Sequence, residues 1–345
     1  MPIVIKPLLP EQGEEALLFL QPYESECVNL ASEILRGGTD CWALYYADQE
    51  ASQTKTFAGL FALRKKRSLF FCLPFAKYKS AFDKKVCSEA QRPLMEFFES
   101  REPFCVNGEA AGAIFLRNIL KNKKSPMRPS VTNKYFLMVS GEENQEASQN
   151  KKAVHAQDAG GGSGAAGDLR VIQATAADYD SLLPLELGYQ REEVVPKSFD
   201  ISDAALAAAF KHELGQGLTF TLYDGGRPIA KARVSACGLR HCMLGGVYTI
   251  PSERKKGRAS FLVMQIIALF ESGLEGRRQT AGGQNCSQGL NAGGGSIDSG
   301  KLGDSRPSLA FDSFCLYAKQ ENAAALALYK SLGFVPRGEY LLVYY

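Results

Sequence analysis

The chain has 345 residues, 45% of them hydrophobic, with 40 basic and 37 acidic side chains and a net charge of +3. That length exceeds one ordinary core and predicts two domains. The charge balance excludes a protein built chiefly to coat nucleic acid or an anionic membrane, so any anion site has to come from a local cluster.

The opening "MPIVIKPLLPEQGEEALLFL" has no long apolar run and no small-residue cleavage site, and it does not read as a signal peptide. No window holds the ~18 uninterrupted apolar residues that a membrane span needs. Nine cysteines, at 27, 41, 72, 87, 105, 237, 242, 286 and 315, form no C-x-x-C pair. An odd, scattered set predicts unpaired thiols in a reducing cytoplasm. His155, His212 and His241 show no metal-ligand spacing, so no metal is expected.

Residues 1 to 140 alternate helix and strand. "EEALLFLQPYESECVNLASEIL" reads as mostly helical, and "CWALYYA", "TFAGLFAL" and "SLFFCLPFA" as strands, with "RKKR" (64 to 67) a solvated hairpin tip. "PFCVNGEAAGAIFLRNIL" reads as strand, turn and helix, and "KYFLMVS" as a closing strand. Trp42 falls in a strand pattern and is expected in the core. Residues 141 to 168 are polar, then Gly/Ala-rich, and read as a flexible linker. Gly162, Gly164 and Gly167 match G-x-G-x-x-G there, but linker precedes them and a strand pattern follows, which is the wrong context for a dinucleotide site.

Residues 169 to 345 form a second α/β unit. "DLRVIQAT" reads as a strand, followed by a helix near 176 to 188 and a second helix in "DISDAALAAAFKHELGQG" with Asp200 or Ser202 as N-cap. "LTFTLYDGGRPIAKARVSA" reads as a hairpin turning at Asp224-Gly225-Gly226. Then come the strand "CMLGGVYTI", the helix "GRASFLVMQIIALFES", the strand "SFCLYAK", the helix "ENAAALALYKSLGF" and the strand "GEYLLVYY". Residues 275 to 308 are low-complexity and read as a mobile insertion between helix and strand.

The chemistry concentrates in "VYTIPSERKKGRASFLV". A strand meets Pro251, turns, and opens an apolar helix whose first amides carry no intrahelical acceptor and bear partial positive charge. Gly257 permits close backbone approach, Ala259 keeps the next turn small, and Arg254, Lys255, Lys256 and Arg258 surround the turn. Cations at a helix N-terminus oppose its dipole, which points to a bound anion such as a phosphate. A solvated basic face is the plain alternative.

Arg254-x-x-Gly257-x-Ala259 resembles the R-x-x-G-x-[GA] signature of the GNAT superfamily, the coenzyme A-dependent N-acetyltransferases. "LYAKQENAAALALYKSLGFVP" resembles that family's N-x-x-A-x-x-L-Y-x-x-x-G-F block, through Asn322, Ala325, Leu328, Tyr329, Gly333 and Phe334. The resemblance covers residues 169 to 345. It implies an α/β fold with a mixed sheet whose two central strands, 243 to 250 and 313 to 318, splay apart.

In that fold the pantetheine arm of acetyl-CoA would lie in the gap, against the main chain of Val247, Tyr248 and Thr249. Residues 254 to 259, with Ser260 and Asn322, would hold the rest of the cofactor. The implied reaction is direct attack of a primary amine on the thioester through a tetrahedral intermediate, with a backbone N–H near 247 to 249 facing the oxyanion and Tyr329 as general acid. Glu192 and Glu193 are candidates for the base or for acceptor contacts; a base acting through water also fits, and so does a pair of exposed carboxylates. His241 as base is disfavoured, because a strand histidine is more often structural, and Cys237 or Cys242 as nucleophiles are disfavoured, because direct transfer needs no thiol.

Residues 1 to 140 resemble, without either motif, the degenerate GNAT-like half of tandem members. A non-catalytic acyl-CoA sensor and a nucleic-acid binder using residues 64 to 67 and 254 to 258 are the rival readings. The acceptor, whether a small molecule or a peptide amine, is left open.

Overall fold

The computed structural model describes residues 2–38, 40–47, 56–64, 67–140, 169–196, 198–280, 311 and 313–345, with side chains described only as far as residue 270 within 198–280. The expected linker 141–168, its glycine triplet and residues 281–308 of the expected insertion lie outside the described residues.

The N-terminal half runs β1 (Ile3–Pro7), α1 (Gly13–Leu20), α2 (Val28–Leu35), β2 (Cys41–Tyr46), β3 (Phe57–Arg64), β4 (Ser68–Cys72), α3 (Pro74–Lys77), α4 (Ala81–Phe98), β5 (Cys105–Glu109), α5 (Ala110–Asn122) and β6 (Val131–Ser140). The C-terminal half runs β7 (Leu169–Gln173), α6 (Tyr179–Tyr189), α7 (Asp203–Leu214), β8 (Thr219–Asp224), β9 (Arg227–Cys237), β10 (His241–Thr249), α8 (Arg258–Thr280), β11 (Ser313–Lys319), α9 (Ala323–Ser331) and β12 (Phe334–Tyr344). Apart from the four-residue α3, which has no counterpart in the C-terminal half, the same order of elements is written twice.

Local chemistry accounts for several boundaries. Ser80 caps α4 by accepting from Asp83 N (3.0 Å) while Asp83 accepts from Ser80 N (3.2 Å). Ser202, not Asp200, caps α7, its hydroxyl accepting from Ala205 N at 3.3 Å. The stretch read as mostly helical holds two helices, because Pro22 opens a 3-10 segment, Gln21–Glu26, between α1 and α2. Strand β1 and helix α4 were not legible in the sequence. Helix α8 continues through Thr280, past the point where the low-complexity composition suggested a loop.

Twelve strands form one sheet in the order β1-β2-β3-β4-β5-β12-β6-β11-β10-β9-β8-β7. The centre of that order is an exchange. β12, from the C-terminal half, pairs antiparallel with β5 of the N-terminal half, and β6, from the N-terminal half, pairs antiparallel with β11 of the C-terminal half. β12 and β6 then pair with each other from Phe334↔Ser140 to Tyr344↔Val131.

Burial follows this topology. Leu341 and Val343 of β12 lie in the N-terminal core with Phe71, Leu94 and Val106. Met138 of β6 lies in the C-terminal core with Leu244, Leu262 and Phe334. A third cluster, Val28, Leu137, Val139, Ala236, Met243 and Cys315, joins the halves. The turn between β9 and β10 is also tied across: Glu24, 1% exposed, accepts from Arg240 N at 2.9 Å and His241 N at 3.3 Å.

Candidate active site

Parallel strands β10 and β11 pair only at His241↔Ser313, Cys242↔Phe314 and Met243↔Cys315. β10 then shifts register against β9 twice, between Met243 and Leu244 and between Gly245 and Tyr248. Gly246 takes a φ of 61° inside that irregularity, where a side chain would be strained. A bulge adds twist and bends its strand, so β10 leaves β11, and among the described residues the edge of Val247–Thr249 that would face β11 has no strand partner. The sequence-based boundaries of the two splayed strands, 243–250 and 313–318, fall within two residues of these elements.

The gap leads to the Arg254–Ala259 turn. Lys255 (φ 62°) and Gly257 (φ 72°) both take left-handed conformations. No atom lies within 4 Å of where a Gly257 side chain would begin. The ladder of α8 starts with Phe261 N donating to Gly257 O (3.0 Å), so the amides of Arg258, Ala259 and Ser260 precede it and have no intrahelical acceptor. Thr249 Oγ1 is buried without a partner. These features fit the phosphate end of a nucleotide-like ligand.

The basic side chains are arranged differently from the sequence expectation. Arg254 makes contacts of 2.8 and 3.1 Å to the Glu192 carboxylate, and its Nε donates to Thr249 O at 2.9 Å. Lys256 lies 3.1 Å from Glu253, and Arg258 lies 3.5 Å from Glu253 and 3.4 Å from Asp224. Neighbouring carboxylates therefore supply much of the counter-charge that a bound anion was expected to supply. Among the described residues Lys255 makes no ion pair, so it and the helix amides are the positive groups left for a ligand.

Glu192 and Glu193 sit in a π-helical turn, Gln190–Val194, that follows α6. Glu192 accepts from Tyr248 Oη at 3.0 Å as well as from Arg254, so it is a structural anion and poorly placed as the base suggested by sequence. Glu193 faces the other way: Asn322 Nδ2 donates to it at 3.2 Å, and Lys319 Nζ is 3.8 Å from it. Asn322 does two jobs, because its Oδ1 also caps α9 by accepting from Ala325 N (3.0 Å).

Tyr329 is buried, its ring 5.9 Å from that of Phe334. Burial foremost, then Tyr189 and the Glu193 charge, push its hydroxyl well above the ordinary phenol range. It therefore holds its proton at neutral pH. His241 lies at the opposite end of β10, its Nδ1 3.8 Å from Glu24. Cys237 and Cys242 face each other at that same end.

One cluster was missed in the sequence. Lys231 on β9 and Glu186 on α6, each 3% exposed in its side chain, pair at 2.6 Å beneath the bulge. Lys231 Nζ also donates to Gly246 O (3.3 Å) and lies 4.5 Å from the Tyr189 ring centre. Gln190 donates to Glu186 at 2.6 Å. Burial pushes the Tyr189 hydroxyl up to about 12. The available signal was a lysine in an apolar strand, "PIAKARV", and a glutamate in an apolar helix, "LPLELGY".

In the N-terminal half the positions around β5 and the start of α5 are filled among the described residues. The Phe71 ring stands where side chains on Gly108 and Gly112 would begin, and Glu109 occupies the start of α5 by accepting from Ala111 N (2.8 Å) and Gly112 N (2.6 Å).

No protein-family model and no curated protein matches the chain. Solved structures do. A Drosophila protein aligns over 99% of this chain and 98% of its own, at 10% identity and a TM-score of 0.52. A tandem GNAT protein from the clavulanic acid biosynthesis pathway aligns over 99% of this chain and 97% of its own, at 10% identity and a TM-score of 0.50. A match to a GNAT-family protein from Novosphingobium aromaticivorans spans 63% of this chain and 65% of that one, at 16% identity and a TM-score of 0.35. With the doubled order of elements, the splayed strands and the full-length match to a tandem GNAT protein, the chain has the tandem GNAT fold.

Proposed function

We propose that the C-terminal half is an acyl-CoA-dependent N-acyltransferase that takes acetyl-CoA as donor and a primary amine as acceptor. The observation that carries this reading is the parting of β10 from β11 after three register pairs, with the open Arg254–Ala259 turn at the end of the gap. The bound thioester would supply the electrophilic carbonyl. The main chain of Val247, Tyr248 and Thr249 would orient the pantetheine arm. Lys255 and the amides of Arg258, Ala259 and Ser260 would receive the phosphates, and Arg254 would brace the turn through Glu192.

An alkylamine has a pKa of about 10.4 and must lose a proton before it attacks. Glu193, reached by Asn322 and Lys319 on one side, is the better-placed acceptor of that proton, directly or through water. Tyr329, protonated at neutral pH, is suited to return a proton to the leaving thiolate. The side chains filling the corresponding region of the N-terminal half support a non-catalytic role for it, with β6 set beside β11.

The test is calorimetric titration of acetyl-CoA into the wild-type chain and Gly257→Glu. A glutamate there places a carboxylate in the phosphate position on a left-handed backbone. Micromolar binding to wild type that is lost in the variant supports the reading. No binding to a folded wild type overturns it. Binding without release of free CoA across a panel of amines makes the chain an acyl-CoA sensor.

A further inference from the structure

Two thiols outside the proposed site are placed as a reactive pair. Cys237 and Cys242 are register partners on antiparallel β9 and β10, and their sulfurs are 2.8 Å apart. The turn between them is closed by Gly238 N donating to His241 O at 2.9 Å. Antiparallel pairs alternate, so the next pair outward, Cys237 with Cys242, is of the non-hydrogen-bonded type. Such pairs bring Cα atoms to about 4.5 Å, inside the range of about 4.4–6.8 Å that a disulfide spans. The Glu24 carboxylate holds the Arg240 and His241 amides, so the turn is fixed before any reaction.

We propose that Cys237 and Cys242 are a cross-strand dithiol that closes to a disulfide by exchange with a low-molecular-weight disulfide such as oxidised glutathione. Cys237 is the partly exposed member and Cys242 the fully buried one, so the incoming disulfide meets Cys237 first. The hydrogen bond from Cys242 lowers the Cys237 thiol below its ordinary range, with the Arg36 charge assisting against burial.

The Cys237 thiolate attacks one sulfur of the oxidant, forming a mixed disulfide and releasing one glutathione thiolate. Cys242 then attacks the Cys237 sulfur, displacing the second glutathione thiolate. The two protons of the protein thiols end on the two released glutathiones, and the two cysteines are oxidised as the oxidant is reduced. The resulting link would sit beside Cys242↔Phe314, where β10 still pairs with β11.

Trypsin cleavage after Arg233, Arg240 and Arg254 puts Cys237 and Cys242 on separate peptides. The reduced full-length chain is incubated with oxidised glutathione, denatured, alkylated and digested without reductant, and the peptides are identified by mass spectrometry. The expected result is peptide 234–240 linked to peptide 241–254, with the two separating on reduction. Cys237→Ser should abolish the link, and Cys87→Ser, at the other partly exposed thiol among the described residues, should leave it intact. Cys242→Ala should trap Cys237 as a mixed disulfide with glutathione; should that variant not fold, Cys237→Ser carries the test. Recovery of both wild-type peptides alkylated, or of Cys237 glutathionylated beside an alkylated Cys242, overturns the proposal. Neither outcome depends on whether the chain binds acetyl-CoA.

Discussion

Arg254 and Glu192 meet in a two-point ion pair, 2.8 and 3.1 Å, that joins the turn before α8 to the π-helical turn after α6. The guanidinium also lies over the Tyr248 ring, 5.4 Å from its centre. Its role is to hold two loops at the mouth of the gap. Both side chains are more than two-fifths exposed, so solvent screens the pair. Glu192→Gln should therefore cost less than ~1 kcal/mol in urea denaturation. A cost of several kcal/mol would show that the pair holds more of the fold than these two turns.

The Lys231–Glu186 pair should behave in the opposite way. Both groups are buried, so removing one leaves an uncompensated charge under the bulge. Lys231→Met or Glu186→Leu alone should destabilise by about 3–5 kcal/mol, and the double variant should recover much of that. Chemical denaturation of all three checks it; additive losses would mean that the charges do not depend on one another.

The strand exchange predicts one unfolding transition. Leu341 belongs to the last strand yet packs in the core of the first half. Leu341→Ala should cost about 2–5 kcal/mol. It should shift Trp42 fluorescence, which reports the N-terminal half, together with far-UV circular dichroism, which reports both halves. Separate midpoints would show that the halves unfold independently.

Glu24 gives the stability a pH dependence. Burial acts to raise its pKa, but the His241 ring and the Arg240 and His241 amides outweigh that and lower it below the ordinary carboxylate range. The unfolded chain then binds more protons at this site than the folded one, so stability rises with pH across the window. The contribution is present above the unfolded value of about 4.3 and is lost as the pH falls through the folded value. Denaturation between pH 3 and 6 should show a shallower slope for Glu24→Gln than for wild type; equal slopes would mean that Glu24 does not titrate differently on folding.

Tyr329→Phe removes a hydroxyl while keeping the ring against Phe334. Loss of a proton donor should lower release of CoA from acetyl-CoA in the presence of an accepted amine by about 10²–10⁴-fold. Acetyl-CoA affinity should change little. Equal rates would make Tyr329 a packing residue only.

The sequence by itself determined the local order of the C-terminal half. Alternating and helical patterns located its strands and helices, and the Arg254–Ala259 and Asn322–Phe334 blocks located the turn and helix of the site. These features depend on neighbours a few residues apart, which composition and spacing encode. Tertiary structure alone decided the rest. That β12 completes the first half and β6 the second depends on pairing between strands roughly two hundred positions apart, which no local pattern carries. That Arg254 answers Glu192 and that Glu186 answers Lys231 depend on the fold juxtaposing them. The four-cation cluster shows why this matters: its positive charge was legible in the chain, and Glu253 lies beside it in sequence, but Glu192, from the turn after α6, and Asp224, from β8, reach it only when the sheet has formed.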